Sequence, residues 1–243
     1  MKNKKSQKNN LIIKDFAEPT DSTRAAIFPD RCPLCGNTIK HKEIVCNNCK
    51  SDAKLIRGAR CLSCGRTKKD CECKGRANFY NGVVAPFVYD GVVRQGIADW
   101  KFHGAERNVN FFADMIIASM QEAYGNIKFD VITFIPQTHK ETEARSYNQS
   151  EQLAMTLGEK LNIPVRSLLV KLFETERQRN LSFISRSGNI FGVFDCCNKA
   201  MTEGKNILLI DDVKTSGKSL NECAKMLHIY GAASVYCAVI AVV

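Results

Sequence analysis

The sequence predicts an α/β protein with a mostly parallel sheet and helices on both faces, preceded by a small cysteine-rich module. From residue 79 onward, apolar strand patterns alternate with helical patterns, as in parallel-sheet folds. Eight of the 12 cysteines fall between residues 32 and 73, in closely spaced pairs. We therefore predict a basic, disordered tail at 1–28, a cysteine module at 29–77 and an α/β domain at 78–243.

The positive charge of the chain is confined to its first third. Residues 1–77 hold 18 Lys and Arg against 8 Asp and Glu, whereas residues 78–243 hold 17 of each. A basic module beside a neutral domain suggests an anionic polymer or an acidic partner for the module. The sequence contains neither an apolar run long enough to span a membrane nor a secretory signal, so we expect a cytoplasmic protein without membrane insertion.

The cysteine pairs have the spacing of zinc knuckles. Two thiolates a few residues apart can bind one ion, and two such pairs complete the closed tetrahedral shell that is typical of structural zinc. We predict two structural zinc ions, bound sequentially in the simplest pairing, although an interleaved pairing stays open. A disulfide framework is the alternative, which the lack of a secretory signal disfavours. The predicted ligands are Cys32, Cys35, Cys46, Cys49, Cys61, Cys64, Cys71 and Cys73.

Apolar periodicity predicts the elements of the α/β domain in order. Strands are predicted at 83–89, 130–135, 165–169, 207–210 and 234–242. Helices are predicted at 92–100, 109–124, 148–161 and 220–227. The last strand pattern continues almost to the final residue, so we expect that strand to be docked in the sheet.

Residues 207–219 combine a buried strand, two adjacent carboxylates and a loop of small residues before a helix. Ligands of parallel sheets bind at the carboxyl ends of strands, and N–H groups at a helix start suit a phosphate. Asp211 and Asp212 repel phosphate but suit hydroxyls or a metal ion, so we predict a phosphorylated-sugar site. A nucleotide P-loop would need Gly where the chain has Asp212. The remaining alternative is that Asp212 only caps a helix.

The same segment resembles the signature of type I phosphoribosyltransferases. The resemblance implies that Asp211 and Asp212 contact the ribose hydroxyls of 5-phosphoribosyl pyrophosphate (PRPP), with Mg²⁺ bound alongside the ligand. It also implies a loop that cradles the 5′-phosphate. That loop consists of Lys214, Thr215, Ser216, Gly217, Lys218 and Ser219.

Further motifs resemble the ComF family over nearly the whole chain. They are the cysteine module, Lys101-Phe102-His103-Gly104, Arg145-Ser146-Tyr147-Asn148-Gln149, and the spaced residues Thr175, Gln178, Leu181, Arg186 and Asn189. The resemblance implies a pyrophosphate loop with Pro136, Gln137, Thr138, His139 and Arg145. Ser146 replaces the family's glycine, and the second proline of its Pro-Val-Pro motif is absent. Lys140 and Arg145 either neutralise pyrophosphate or simply solvate the loop.

ComF-like proteins are associated with DNA uptake during natural transformation. The resemblance therefore implies a competence protein that binds PRPP and contacts single-stranded DNA or its handling machinery, such as helicases. Two alternatives stay open. The first is a phosphoribosyltransferase that releases pyrophosphate on an unidentified acceptor, and the second is a non-catalytic scaffold whose zinc module recruits partners.

Overall fold

The computed structural model describes residues 29–73, 77–103, 106–125, 127–137, 147–172 and 193–243. The predicted tail at 1–28 and the motif residues between 175 and 189 lie outside the described residues. The helices are α1 Asn47–Asp52, α2 Gly91–His103, α3 Glu106–Tyr124, α4 Gln149–Leu161 and α5 Lys218–Ile229, with a 3₁₀ turn at Lys199–Met201. The strands are β1 Gly82–Val84, β2 Phe87–Val88, β3 Val131–Phe134, β4 Leu169–Lys171, β5 Phe194–Cys196, β6 Asn206–Lys214 and β7 Ser234–Val242.

The central sheet is parallel, as predicted. Its strand order is β1-β7-β6-β3, and β2 also pairs with β7. All of these pairings are parallel. The last strand, β7, lies between β1 and β6, so the prediction that it is docked in the sheet is confirmed. Strands β4 and β5 form a separate antiparallel pair beside the sheet.

Alternation along β6 builds a hydrophobic core on each face of the sheet. Leu208 and Ile210 join a core with α2, α3 and α4, whereas Ile207 and Leu209 join a core with α5. Successive strand residues point to opposite faces, which is why one apolar run supplies both layers. Among the described residues, no helix is both long and apolar enough to cross a membrane.

Three strand predictions need correction. The strand predicted at 83–89 is split into β1 and β2 around Pro86, which has no N–H to donate to a ladder. The strand predicted at 165–169 is wrong, because Val165 makes only a single bridge to Ile132 and the strand begins at Leu169. Finally, β6 does not end before the acidic pair but continues in register with β7 to Lys214.

The cysteine module is docked on the α/β domain rather than separate from it. Leu34, which is 1% exposed, lies in the same core as Ile97 and Trp100 of α2. The backbones meet at Gly96, where an added Cβ would lie 2.7 Å from Pro33 O and 2.8 Å from Leu34 Cα. Docking of the module therefore requires glycine at position 96, in the middle of α2.

Replacing Gly96 with alanine is expected to destabilise the protein by about 1–3 kcal/mol, because the methyl group would push the module away from α2. In an exposed helix the same change would stabilise the protein by about 1 kcal/mol. The sign of the stability change therefore shows whether the module backbone lies against Gly96. Urea unfolding measures the effect. Gln95→Ala, at an exposed neighbouring position, is the control and should change stability little. Stabilisation by Gly96→Ala would contradict the packing.

Candidate functional site

The eight knuckle cysteines form two groups in sequential order. One group holds Cys32, Cys35, Cys46 and Cys49, the other Cys61, Cys64, Cys71 and Cys73, and within each group the four Sγ atoms lie within 4.8 Å of one another. The sequential pairing is therefore the one that the fold adopts, and the interleaved pairing is excluded.

The spacing of the thiols fits zinc. The Sγ atoms are 3.7 Å apart for Cys35 and Cys46, and 3.5 Å apart for Cys61 and Cys73. A tetrahedral shell with Zn–S bonds of about 2.3 Å requires S···S separations of about 3.8 Å. Helix α1 helps to fix the first group, since the Cys49 N–H donates to Cys46 Sγ at 3.5 Å. Four thiolates leave no open position for water, so the metal in each group would be structural.

The acidic pair lies in β6 near the carboxyl edge of the sheet, just beyond the point where the neighbouring strand β3 ends. Phe134 pairs with Ile210, and the Ile135 N–H donates to Ile210 O at 3.0 Å. The chain after β3 therefore leaves the sheet beside Asp211, while β6 continues along β7 to Lys214. This is the edge at which parallel sheets bind ligands.

Asp211 is half-buried and partly satisfied by its surroundings. Its Oδ1 accepts hydrogen bonds from Ser150 Oγ at 3.0 Å and from the Asp212 N–H at 2.9 Å. Burial, followed by the neighbouring Asp212 carboxylate, raises the pKa of Asp211 to about 7. The site thus holds a carboxyl group whose ionisation is costly in the ligand-free protein.

Asp212 forms an ion pair with Lys101, near the end of α2. The exposed fractions of the two side chains are only 20% for Lys101 and 16% for Asp212. Sequence reasoning assigned no role to Lys101 or to Ser150. Lys101 belongs to the Lys-Phe-His-Gly segment that carried the family resemblance, but nothing in the sequence indicated which distant carboxylate it would meet.

The six residues of the predicted phosphate loop span the end of β6, a short loop and the start of α5. Lys214 is the last strand residue, and Lys218 and Ser219 already belong to α5, so the loop proper is Thr215, Ser216 and Gly217. Gly217 precedes α5 with φ +75° and has no side chain to cap the helix, and the Lys218 N–H donates a long hydrogen bond of 3.4 Å to Ser216 Oγ. Uncapped N–H groups at a helix start suit an anion.

Lys214 lies beneath this loop and is 9% exposed. Its side chain runs so close to Gly217 that an added Cβ would lie 2.8 Å from Lys214 Cε. A buried cation under a helix start adds positive potential to the loop. The predicted phosphate loop therefore has a lysine side chain beneath it and lies next to the acidic pair in the chain.

Only the beginning of the predicted pyrophosphate loop is described. Pro136 is buried, and the Gln137 Nε2–H donates to Gln149 Oε1 at 3.1 Å. Gln149 precedes Ser150, which contacts Asp211, so this segment reaches the acidic pair. Thr138, His139, Lys140 and Arg145 lie outside the described residues, and their role stays a prediction.

Replacing Asp211 with asparagine is expected to stabilise the ligand-free protein at pH 8 by about 1–2 kcal/mol, because the ionised carboxyl group no longer has to be buried. The folded-state pKa of about 7 exceeds the usual value of 3.8. The folded state therefore binds more protons, and the contribution of Asp211 to stability falls as pH rises between these two values. Urea unfolding from pH 5 to pH 8, in magnesium-free buffer, measures the difference between the two proteins. A difference that does not grow with pH would contradict the assignment.

Comparison with known proteins identifies both parts of the chain. The double zinc ribbon domain family matches residues 24–78, and the phosphoribosyl transferase domain family matches residues 143–242. Competence protein ComFC of Bacillus subtilis is 28% identical over 210 residues, which cover 81% of this chain and 82% of that protein. Competence protein ComFC of Streptococcus pneumoniae is 26% identical over 226 residues, covering 84% and 96%.

A third relative is named for DNA utilization rather than for competence. The DNA utilization protein YhgH of Salmonella typhi is 23% identical over 208 residues, covering 84% of this chain and 86% of that protein. The two matched domains follow one another in the order that the structure shows, with the zinc ribbons docked on the parallel-sheet domain. The chain thus combines a double zinc ribbon domain with a phosphoribosyl transferase domain, and over most of its length it is similar to the ComFC competence proteins.

Proposed function

We propose that this protein binds PRPP, or a closely related sugar phosphate, between Asp211–Asp212 and the start of α5, and that it acts in DNA uptake. The observation that carries the proposal is that a group suited to hydroxyls and a group suited to an anion lie close together in the chain. A carboxylate pair that can accept hydrogen bonds from ribose hydroxyls lies a few residues from a helix start, whose first-turn N–H groups suit an anion. A phosphorylated sugar presents both of these groups within one small molecule.

The acidic pair also suits Mg²⁺. Carboxylate oxygens are the ligands that Mg²⁺ prefers, and it is usually bound through one or two carboxylates together with substrate phosphates. Asp211 and Asp212 would hold the ion, which when bound would neutralise charge on the ligand's pyrophosphate. The hydroxyl group of Ser150 orients Asp211 from the other side.

Calorimetric titration tests the ligand. We expect wild-type protein to bind PRPP in the presence of Mg²⁺, and Asp212→Asn to bind it at least about tenfold more weakly, since one hydroxyl acceptor and one metal ligand are lost. Asp114→Asn, at a side chain 63% exposed on α3, is the matched control and should bind normally. Separate titrations of ribose 5-phosphate and of pyrophosphate show how much of the PRPP affinity comes from the ribose phosphate and how much from the pyrophosphate. Equal binding by wild-type protein and Asp212→Asn would remove the proposed site.

A role in DNA uptake is supported by the names of the curated relatives and by the basic zinc module. Five exposed lysines of the module are available for phosphate contacts, namely Lys40, Lys42, Lys50, Lys68 and Lys69. We expect the affinity for a labelled single-stranded oligonucleotide to fall steeply between about 50 and 200 mM salt. Paired alanine variants, Lys40/Lys42 against Lys68/Lys69, identify the ribbon involved. A flat salt response would exclude a basic-surface DNA contact.

Phosphoribosyl transfer is the second candidate, favoured by the matched transferase domain together with the acidic pair. Release of pyrophosphate from PRPP in the presence of a panel of nucleobases and amines tests it, with Asp212→Asn as the inactive reference. Binding without release would indicate that the site holds its ligand without turnover. If PRPP neither binds nor releases pyrophosphate, the scaffold alternative is favoured, in which the zinc ribbons recruit partner proteins.

A further inference from the structure

Lys101 and Asp212 form an unusually buried ion pair for this protein. In the described part of the chain, each of three other ion pairs has at least one largely exposed side chain. The exposed fractions are 65% and 54% for Lys54–Asp90, 30% and 63% for Lys160–Asp114, and 4% and 57% for Arg60–Glu122. Lys101 and Asp212 are 20% and 16% exposed. Burying two charges costs desolvation energy that their attraction only partly repays, so stability alone does not account for such a pair.

The backbone that carries Lys101 is held on several sides. The neighbouring Trp100 is fully buried, and its indole Nε1–H donates to Gln152 Oε1 at 2.8 Å. The Tyr147 hydroxyl donates to Trp100 O at 2.6 Å. One turn earlier, Gly96 is in close contact with the first zinc ribbon. The backbone from which the Lys101 side chain extends is thus fixed by packing against both α4 and the zinc module.

The ammonium group contacts one of the two carboxylates that would bind a divalent cation. Asp211 and Asp212 are adjacent carboxylates near the sheet edge, and Lys101 already pairs with the one that Ser150 does not contact. A divalent cation entering the empty site must displace this ammonium group or share Asp212 with it. Like charges at a few ångströms repel by several kcal/mol outside bulk water. The empty site should therefore hold Mg²⁺ poorly.

We propose that Lys101 is the resident counter-ion of the acidic pair and keeps divalent cations off it until the sugar phosphate arrives. The inference rests on the proposed sugar-phosphate site. When the ligand's negative charges enter, they compensate the added positive charge, so the ion and the ammonium group can coexist. Lys101 is in this sense a positioning residue that makes metal binding depend on the ligand.

Binding of Mn²⁺ to the full-length, zinc-loaded protein tests this role. Mn²⁺ is a suitable probe because its bound fraction is read by electron paramagnetic resonance without any turnover. Without PRPP, we expect Lys101→Met to bind Mn²⁺ at least about tenfold more tightly than wild type, and Lys101→Arg to bind it as weakly as wild type. Adding Asp212→Asn to Lys101→Met should abolish the gain. Lys54→Met, in the exposed pair with Asp90, is the matched control and should change nothing.

Unchanged or weaker Mn²⁺ binding by Lys101→Met would overturn the proposal. Tight Mn²⁺ binding by the ligand-free wild-type protein, lost in Asp212→Asn, would overturn it as well, and this comparison does not depend on a Lys101 variant that folds. Failure of PRPP to bind to wild-type protein would instead overturn the proposed function. The Mn²⁺ comparison can be interpreted in either case.

Discussion

Replacing Cys49 with serine is expected to cause the largest loss of stability of any single change considered for this protein. Cys49 is 2% exposed and belongs both to the first thiol group and to the core shared with α2, α3 and α4. Structural zinc contributes about 10–16 kcal/mol of apparent free energy in small zinc modules, and a shell of three thiolates retains only part of it. We expect a loss of more than about 4 kcal/mol, enough to unfold a typical domain at physiological temperature.

Zinc content and thermal unfolding together check this prediction. Wild-type protein should contain two zinc ions per chain, and Cys49→Ser should lose the first ion and unfold at a much lower temperature. Cys197→Ser is the matched control, because Cys197 is exposed and belongs to neither thiol group. A Cys49→Ser protein that keeps two zinc ions and the wild-type unfolding temperature would contradict a structural metal at this site.

Loss of zinc is also expected to weaken binding at the proposed sugar-phosphate site, because each ribbon contacts an element that carries residues of that site. The first ribbon meets α2 at Gly96, five residues before Lys101. The second ribbon reaches the end of β7, where Arg66 donates to Val243 O at 2.6 Å. The Val243 N–H in turn donates to Lys214 O at 3.0 Å. Zinc-depleted protein that remains folded should therefore bind PRPP less tightly than zinc-loaded protein.

Replacing Gly217 with alanine is expected to weaken PRPP binding at least about tenfold, because two separate costs fall on the phosphate loop. The backbone of Gly217 has φ +75°, which costs about 1 kcal/mol for a residue with a Cβ. The new Cβ would also lie 2.8 Å from Lys214 Cε, so either the loop or the buried lysine must move. Both movements disturb the N–H groups and the cation that would hold the 5′-phosphate.

The variant Gly204→Ala separates the cost of the positive φ from the cost of the contact with Lys214. Gly204 has φ +71°, almost the same as Gly217, but an added Cβ there has nothing within 4 Å. It should lower stability by about 1 kcal/mol and leave PRPP affinity unchanged. Titration of ribose 5-phosphate into both variants completes the test, since this ligand depends on the phosphate loop without the pyrophosphate contacts. Normal binding by Gly217→Ala would mean that the phosphate lies elsewhere.

The sequence predicted Asp211 and Asp212 as residues of this site but did not predict Lys101. The acidic pair, the small-residue loop and the helix after it are consecutive in the chain, so their local pattern predicted their neighbourhood. Lys101 and Ser150 come from distant segments that only the docking of α2 and α4 brings to β6. The strand errors have the same origin, because the pairing of β4 depends on β5 rather than on the apolar pattern of residues 165–169.

The sequence by itself determined the parallel-sheet fold, the eight zinc ligands and the position of the acidic pair, since each follows from spacing or periodicity within a short stretch. Tertiary structure alone decided the sequential grouping of the thiols, the docking of the zinc ribbons on α2 and β7, and the ion pair between Lys101 and Asp212. The physical reason is that these features depend on how separate elements pack. Packing is set by the combined shape of many side chains, which no single stretch of the chain contains.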